Sequence, residues 1–420
     1  MLDPLRNRIS GDSAAPKHGP ASLLFVGLFV ATAYSGSLYG RAAPYLILAE
    51  IAILVWMNLT PIAAERGYVN SRYRLQWILL LVFCGFLAWQ ATYTMVPEVT
   101  LIYLRRFLVF SVLLVFLPNP RTCRLAIKAG KYYGFLVSAS ILISTWASGI
   151  KSGGFVGDYQ YGGMMASVAC VLFLVDFYHD GGRLVDALGA VLSLIGVFIS
   201  GKRMFAFIVV ISAVWLLFSS VERGKLARLF RLSTMGVLGV GSLYATFEPV
   251  RELIGRIVLL FLPAQVATSG RSILWSLALD IFESNRLTGI GFANFVPYSD
   301  AISGAPWFGL YHVHNIYLQL LAETGVMGFG IMLGFLGSAL VSTWRSYRAA
   351  LRWRDNDARY ILVSSIALQV WFIVYGFSGN GLYGWQEMYL YLSAVAMALS
   401  VRMSSNCGEA SRLGFRGEST

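Results

Sequence analysis

The side chains in this sequence that could do chemistry are few enough to name. It has four histidines, His18, His179, His312 and His314. Two of them stand one residue apart in Tyr311-His312-Val313-His314-Asn315. Imidazole is the side chain whose ordinary pKa suits proton transfer near neutral pH, so such a pair can supply a general base. It can equally cap a helix. With further ligands it could hold zinc, but neither a cysteine nor an obvious third ligand accompanies it. A second group is cationic. Lys202 and Arg203 complete the short turn Gly201-Lys202-Arg203 between two apolar runs. Arginine offers a planar fork matched to phosphate oxygens, which points to an anion site. The competing reading is a pair of side chains snorkelling to an interface. Arg105 and Arg106 fall inside an apolar run. A cation there costs at least ~2.5 kcal/mol and needs a partner, such as Glu50 or Glu98, or a wet cavity.

The elements that must position these groups are read from composition. Of 420 residues, 57% are hydrophobic and 13% charged, with a mean hydropathy of +0.65. A soluble domain carries roughly 25% charge, so most of this chain cannot face water. The expected fold is all-α and polytopic. Apolar runs long enough to cross a bilayer lie near 21–40, 43–63, 75–96, 99–118, 126–148, 161–178, 184–200, 204–220, 232–248, 316–342, 360–378 and 386–402. This gives about twelve transmembrane helices within 21–402, flanked by tails at 1–20 and 403–420. A shorter run at 253–266 carries Arg256 and reads as interfacial or re-entrant. The run after the polar N-terminus lacks a cleavage site and reads as the first span.

Charge placement orients the chain. With the N-terminus in the cytoplasm, 23 Lys and Arg fall on the cytoplasmic side, Lys131 among the loop cations, 8 on the other and 2 within a span, 33 in all. The positive-inside rule then puts both termini in the cytoplasm. Basic residues dispersed in this way are topology signals and exclude a nucleic-acid-binding face. Lys202, Arg203, His312 and His314 all fall on the opposite, external side. So does a long loop, 249–313, between spans nine and ten. In it Leu274, Ala278, Ile281 and Phe282 share one helical face, flanked by Trp275 and Leu279, which predicts an amphipathic helix. Thr288–Phe295 contains Gly289 and Gly291 but no third glycine and no preceding strand. It reads as a tight turn, not a dinucleotide loop. Gly330, Gly334 and Gly337 suggest close helix packing. Cys84, Cys123, Cys170 and Cys407 show no pairing or metal spacing.

These elements together resemble the O-antigen ligase and polymerase superfamily. The stretch His314-Asn315 entering a span, followed by Glu323-Thr324-Gly325-Val326-Met327-Gly328, is similar to its His-Asn and Glu-x-Gly-x-x-Gly signature. Ser200-Gly201-Lys202-Arg203 resembles its Ser-x-x-Arg turn. Gly270-Arg271-Ser272 through Trp275, with Gly289-Ile290-Gly291 and Asn294-Phe295, resembles its external-loop segment. Gly154–Tyr159, with Asp158, fits more weakly. The detailed likeness covers 150–340.

The resemblance implies a C-type glycosyltransferase of the bacterial inner membrane, acting on its periplasmic face. Such an enzyme moves a glycan from an undecaprenyl-pyrophosphate carrier to an acceptor hydroxyl. It implies His314 as general base and Arg203 and Arg271 as ligands of the pyrophosphate. Lys202, His312, Arg105, Arg106, Asp158, Asn315 and Glu323 are accessory candidates. The external loops hold no Asp-x-Asp motif, in keeping with arginines in place of a metal, and no cofactor is expected. Partners would be the lipid-linked donor, a glycan or lipid A core acceptor, membrane lipids and other polysaccharide-assembly proteins. Polymerisation of a surface polysaccharide, exopolysaccharide or O-antigen is the favoured activity, with ligation to lipid A core as the alternative. A transporter or flippase is the rival class, kept open by Arg105 and Arg106 inside a span.

Overall fold

The computed structural model describes residues 22–28, 74–115, 120–148, 153–179, 183–219, 225–246, 271–303, 312–353 and 355–414, with isolated residues between 49 and 53 and between 248 and 255. Every regular element among them is helical. In chain order they are α1 (Arg74–Gln90), α2 (Pro97–Val115), α3 (Pro120–Ser148), a short 3-10 turn (Gly154–Val156), α4 (Tyr159–His179), α5 (Leu184–Ser200) and α6 (Arg203–Ser219). Then follow α7 (Lys225–Thr246), α8 (Arg271–Ser284), α9 (Phe295–Ser303), α10 (Ile316–Trp353), α11 (Asn356–Tyr375) and α12 (Trp385–Gly414).

Ten of the expected spans coincide with helices. The expected spans 21–40 and 43–63, the run 253–266 and His18 fall largely or wholly outside the described residues. Three helices, Tyr159–His179, Ile316–Arg352 and Asn356–Tyr375, are long and apolar enough to cross a membrane, and Leu75–Gln90, Leu184–Ser200 and Met204–Leu216 are shorter apolar helices. Leu75, Ile78, Leu81 and Val82 on α1, with Leu136, Ile143 and Trp146 on α3, are exposed. Aliphatic faces of this kind suit lipid and not water.

The centre of the bundle is α4. Every residue from Gly162 to Tyr178 is buried, and a helix apolar all round belongs in the interior. It packs against α3, α5, α6 and α11. A second group forms as α10 packs on α1 and α11, and α12 on α2, α10 and α11. The groups meet across the stacked rings of Phe205, Trp371 and Tyr375. Trp371 also donates its indole N–H to Ser167 Oγ at 2.9 Å.

One expectation is corrected here. Lys131, counted among loop cations, lies within α3 and is buried with Asp176 of α4 and Asp186 of α5. Pro120 starts α3 early, since its fixed φ suits a first helical turn. The Arg121–Lys131 segment is therefore helix, and two carboxylates offset the buried ammonium. Among the described residues, a Cβ would meet nothing within 4 Å at Gly330 or Gly337, and only the tip of Leu79 at Gly334. The tight position is Gly328, where a Cβ would lie 2.5 Å from Thr324 Cβ and 2.6 Å from Phe86.

Replacing Lys131 by methionine would leave two buried carboxylates facing each other. The expected loss of stability is about 3–5 kcal/mol, read as a lowered unfolding midpoint in detergent. An unchanged midpoint would mean that the triad contributes nothing to the bundle.

Candidate functional site

The site is built around a break in a helix. α10 runs from Ile316 to Trp353, but Gly325 has φ 59 and ψ −168, which no helix contains. The break interrupts the backbone ladder and leaves carbonyls before it and N–H groups after it without helical partners. Residues 285–295, the strap between α8 and α9, fill the gap. Ile290 and Gly291 donate their N–H groups to Ala322 O at 3.3 Å and Glu323 O at 2.8 Å. Val326 and Met327 donate theirs to Arg286 O at 2.9 Å and Leu287 O at 3.2 Å. Four main-chain bonds thereby stitch strap and helix. A Cβ on Gly325 would lie 2.3 Å from the Leu287 carbonyl, and one on Gly289 would lie 2.2 Å from Glu323 C. Both glycines have positive φ, which an L side chain resists.

Two residues before the break sits Glu323, fully buried. Its carboxylate takes four hydrogen bonds. Oε1 accepts from Phe295 N and Gln319 Nε2, each at 3.0 Å. Oε2 accepts from Ala293 N at 2.7 Å and from the Tyr383 hydroxyl at 2.5 Å. Ala293 takes φ 62 to aim its N–H inward. Gln90 at the end of α1 closes the arrangement from the other side. Its amide donates to Thr288 O at 2.6 Å and Glu323 O at 2.9 Å and accepts from Phe292 N at 3.2 Å. Asn294 bridges Val96 N and Thr100 Oγ1 at 2.8 and 2.9 Å. Glu323 is thus a hub inside the protein with no lone pair turned outward.

The hub reaches the histidines through Gln319. Its Oε1 accepts from Val313 N at 3.2 Å, and its Nε2 lies 3.1 Å from His312 Nδ1. Trp275 of α8 holds the same segment by donating its indole N–H to Val313 O at 3.1 Å. Asn315 caps α10, accepting from Tyr317 N at 3.0 Å and Leu318 N at 3.2 Å through Oδ1. His314, fixed between Val313 and Asn315, takes φ 54, a backbone state that costs a non-glycine residue of order 1–3 kcal/mol. Its ring is half-buried, and among the described residues no side chain hydrogen-bonds either ring nitrogen. Burial lowers its pKa to about 4, helped by the charges of Arg271, His312 and Lys202. The imidazole is therefore neutral at physiological pH, with a lone pair to accept a proton.

The cations around it come from two elements. Arg271 begins α8 and donates from Nη1 to Ser378 Oγ at 2.8 Å. Gly201, at φ 71, ends α5 and donates its N–H to Phe198 O, which turns the chain into α6. Lys202 stands in that turn. It donates to Gln160 Oε1 at 3.2 Å and lies 5.0 Å from the Tyr159 ring centroid. Arg203 opens α6 directly after Lys202, and its side chain lies outside the described residues. Asp158 has a local task. Its Oδ1 accepts from Gln160 N at 2.6 Å and Tyr161 N at 3.4 Å and so caps α4.

The structure does not bring Arg105 and Arg106 into this group. Arg105 is exposed on α2. Arg106 lies 4.6 Å from the Tyr103 ring centroid, with Nη1 3.5 Å from Tyr383 O. It belongs to the aromatic packing beneath the hub, not to the mouth. Gln90, Gln160, Gln319, Ser378 and Tyr383 were not singled out from the sequence. Gln319 carried a usable signal: it stands four residues before Glu323, on the same helical face.

Histidines and cations gathered at the mouth of a broken helix are suited to accepting a proton and to binding an anion. Residues 188–333, from α5 into α10, match the family model described as O-antigen ligase. In this segment the chain is similar to the O-antigen ligase and polymerase superfamily. Lys202, Arg203, Arg271, His312, His314, Asn315 and Glu323 all fall within the match. Arg105, Arg106 and Asp158 fall outside it. No curated protein matches the chain.

Gly325→Ala is expected to lose about 3 kcal/mol or more of stability, since the new methyl meets the strap backbone at positive φ. Gly330→Ala, in open space on the same helix, should be neutral or gain up to ~1 kcal/mol of helix preference. Unfolding midpoints of the two variants side by side check this, and equal midpoints would refute the stitched break.

Proposed function

We propose that this protein is a membrane glycosyltransferase that uses an undecaprenyl-pyrophosphate-linked oligosaccharide at the periplasmic face of the bacterial inner membrane, most simply as a polysaccharide polymerase. The observation that carries the reading is His314. It is a neutral imidazole whose nitrogens meet no side-chain partner among the described residues, held by a strained backbone at a helix mouth and within electrostatic reach of Arg271 and Lys202. The family match supports the glycan and lipid-linked substrate class.

In this reading the acceptor hydroxyl gives its proton to His314. Its oxygen attacks the anomeric carbon of the donor, and the bond from that carbon to the pyrophosphate oxygen breaks. Negative charge gathers on the departing pyrophosphate, and fixed cations stabilise it as it forms. Arg271 and Arg203 fill this role, with Lys202 beside them. A single displacement inverts the anomeric carbon. Ligation to lipid A core uses the same steps with another acceptor. Gene deletion separates the two: single repeat units at the surface or on the carrier mark a lost polymerase. Long carrier-linked chains over a bare core mark a lost ligase.

His314→Asn tests the base. Asparagine tolerates positive φ but cannot take up the proton, so a folded, inserted variant should lose at least about 100-fold in transfer. Wild-type turnover by that variant would remove His314 from the chemistry. The pH dependence follows from the lowered pKa. Since the ring must be unprotonated, kcat/KM should hold as pH falls and drop only as it approaches about 4. A bound pyrophosphate counters the cations and raises the ring's pKa, so the acid limb of kcat should lie at higher pH than that of kcat/KM. Coincident limbs would place the donor's anion elsewhere.

A further inference from the structure

The two histidines are not equivalent, and the difference can be read from a backbone N–H. The Val313 N–H is a donor whatever the protonation around it, and it points at Oε1 of Gln319. The Gln319 amide orientation is therefore fixed, and Nε2 is its donor end. One of its hydrogens goes to the Glu323 carboxylate. The other goes to Nδ1 of His312, 3.1 Å away. A ring nitrogen that accepts is unprotonated, so the neutral His312 ring carries its hydrogen on Nε2. The ring plane is held against Tyr383, with centroids 5.6 Å apart and planes at 33°. Tyr383 is itself tied to Glu323. Among the described residues Nε2 of His312 has no protein partner, and the ring is half-buried beside His314.

The two rings have different neighbours. Arg271 and Lys202 bear electrostatically on His314, whereas His312 is engaged by the Gln319 amide and the Tyr383 ring. In a displacement the leaving pyrophosphate belongs with the cations, and the attacking hydroxyl belongs on the other side of the base.

We infer that His312 is an acceptor-side hydrogen-bond donor: Gln319 holds it in the Nε2–H form, and that N–H binds a hydroxyl or ring oxygen of the acceptor glycan while His314 takes the proton. The inference rests on the transferase reading above and adds the residue that orients the acceptor. His312 transfers no proton in this scheme, so it does not compete with His314 as base. It binds and aims the nucleophile.

The test uses full-length protein in proteoliposomes with a lipid-linked oligosaccharide donor and a titrated glycan acceptor. His312→Phe keeps an aromatic ring against Tyr383 and removes both nitrogens. It should raise the acceptor KM about tenfold, the worth of one hydrogen bond, and leave the donor KM within about twofold. His312→Gln puts an amide N–H near the place of Nε2 and should restore most of that loss. An unchanged acceptor KM in His312→Phe, a rise confined to the donor KM, or no rescue by glutamine would each overturn the inference. Solid-state nitrogen spectra of histidine-labelled protein test the tautomer without any turnover. A signal for a protonated Nε2 and bare Nδ1 should vanish in His312→Phe, and a His312 protonated on Nδ1 would overturn the inference. Absence of transfer by the wild type, with the expected tautomer present, would instead sink the transferase reading.

Discussion

A carboxylate buried in a membrane protein is tolerated only when its lone pairs are filled, and the architecture around Glu323 follows from that constraint. Four donors converge on it from three separate parts of the chain: the strap, the first half of α10 and the loop before α12. Removing any one would leave a charge or a polar hydrogen stranded in a medium without water. The carboxylate therefore acts as a fastener whose strength comes from the surrounding apolarity. It is too enclosed to touch substrate, yet it governs where the substrate-facing groups stand.

That arrangement divides labour among its neighbours. Against the hub lies the aromatic packing of Phe83, Tyr103, Phe107, Phe292 and Tyr383, whose rings meet edge-on or stacked. From the hub Gln319 leads to the mouth and converts a buried charge into a fixed backbone and a fixed imidazole. At the mouth stands His314, whose nitrogens accept no side-chain partner among the described residues. Strain at His314 and Ala293 is held by the bonds on either side, as expected where a structure over-determines a residue for function.

Much of this was legible in the sequence. Apolar runs of bilayer length gave the helices from α1 onward, and the helical spacing of Leu274, Ala278 and Ile281 gave the buried face of α8. The histidine pair and the Ser-Gly-Lys-Arg turn stood out because polar groups are rare in such a chain. What stayed hidden depends on contacts between residues far apart in sequence. Nothing local marks Gln90 as the partner of a strap about two hundred residues later, or Ser378 as the acceptor for Arg271. Gly325 was visible as part of a motif, but a spaced-glycine pattern suggests packing, and only the main-chain bonds at Arg286 and Leu287 show a break. Lys131 misled for a related reason: positive charge near a span end reads as topology until the carboxylates on two other helices are seen.

The strap has one more property, which comes from its place in the chain. Residues 285–295 are synthesised before α10, so the carbonyls and N–H groups that fill the break exist before the break does. Glu323 likewise meets two of its donors, Ala293 and Phe295, already made when it leaves the ribosome. Reversing the order of strap and helix would oblige a charged, interrupted segment to wait in the membrane for its partners. Chain order is in this sense part of the construction, since it lets an interrupted helix arrive with its complement at hand.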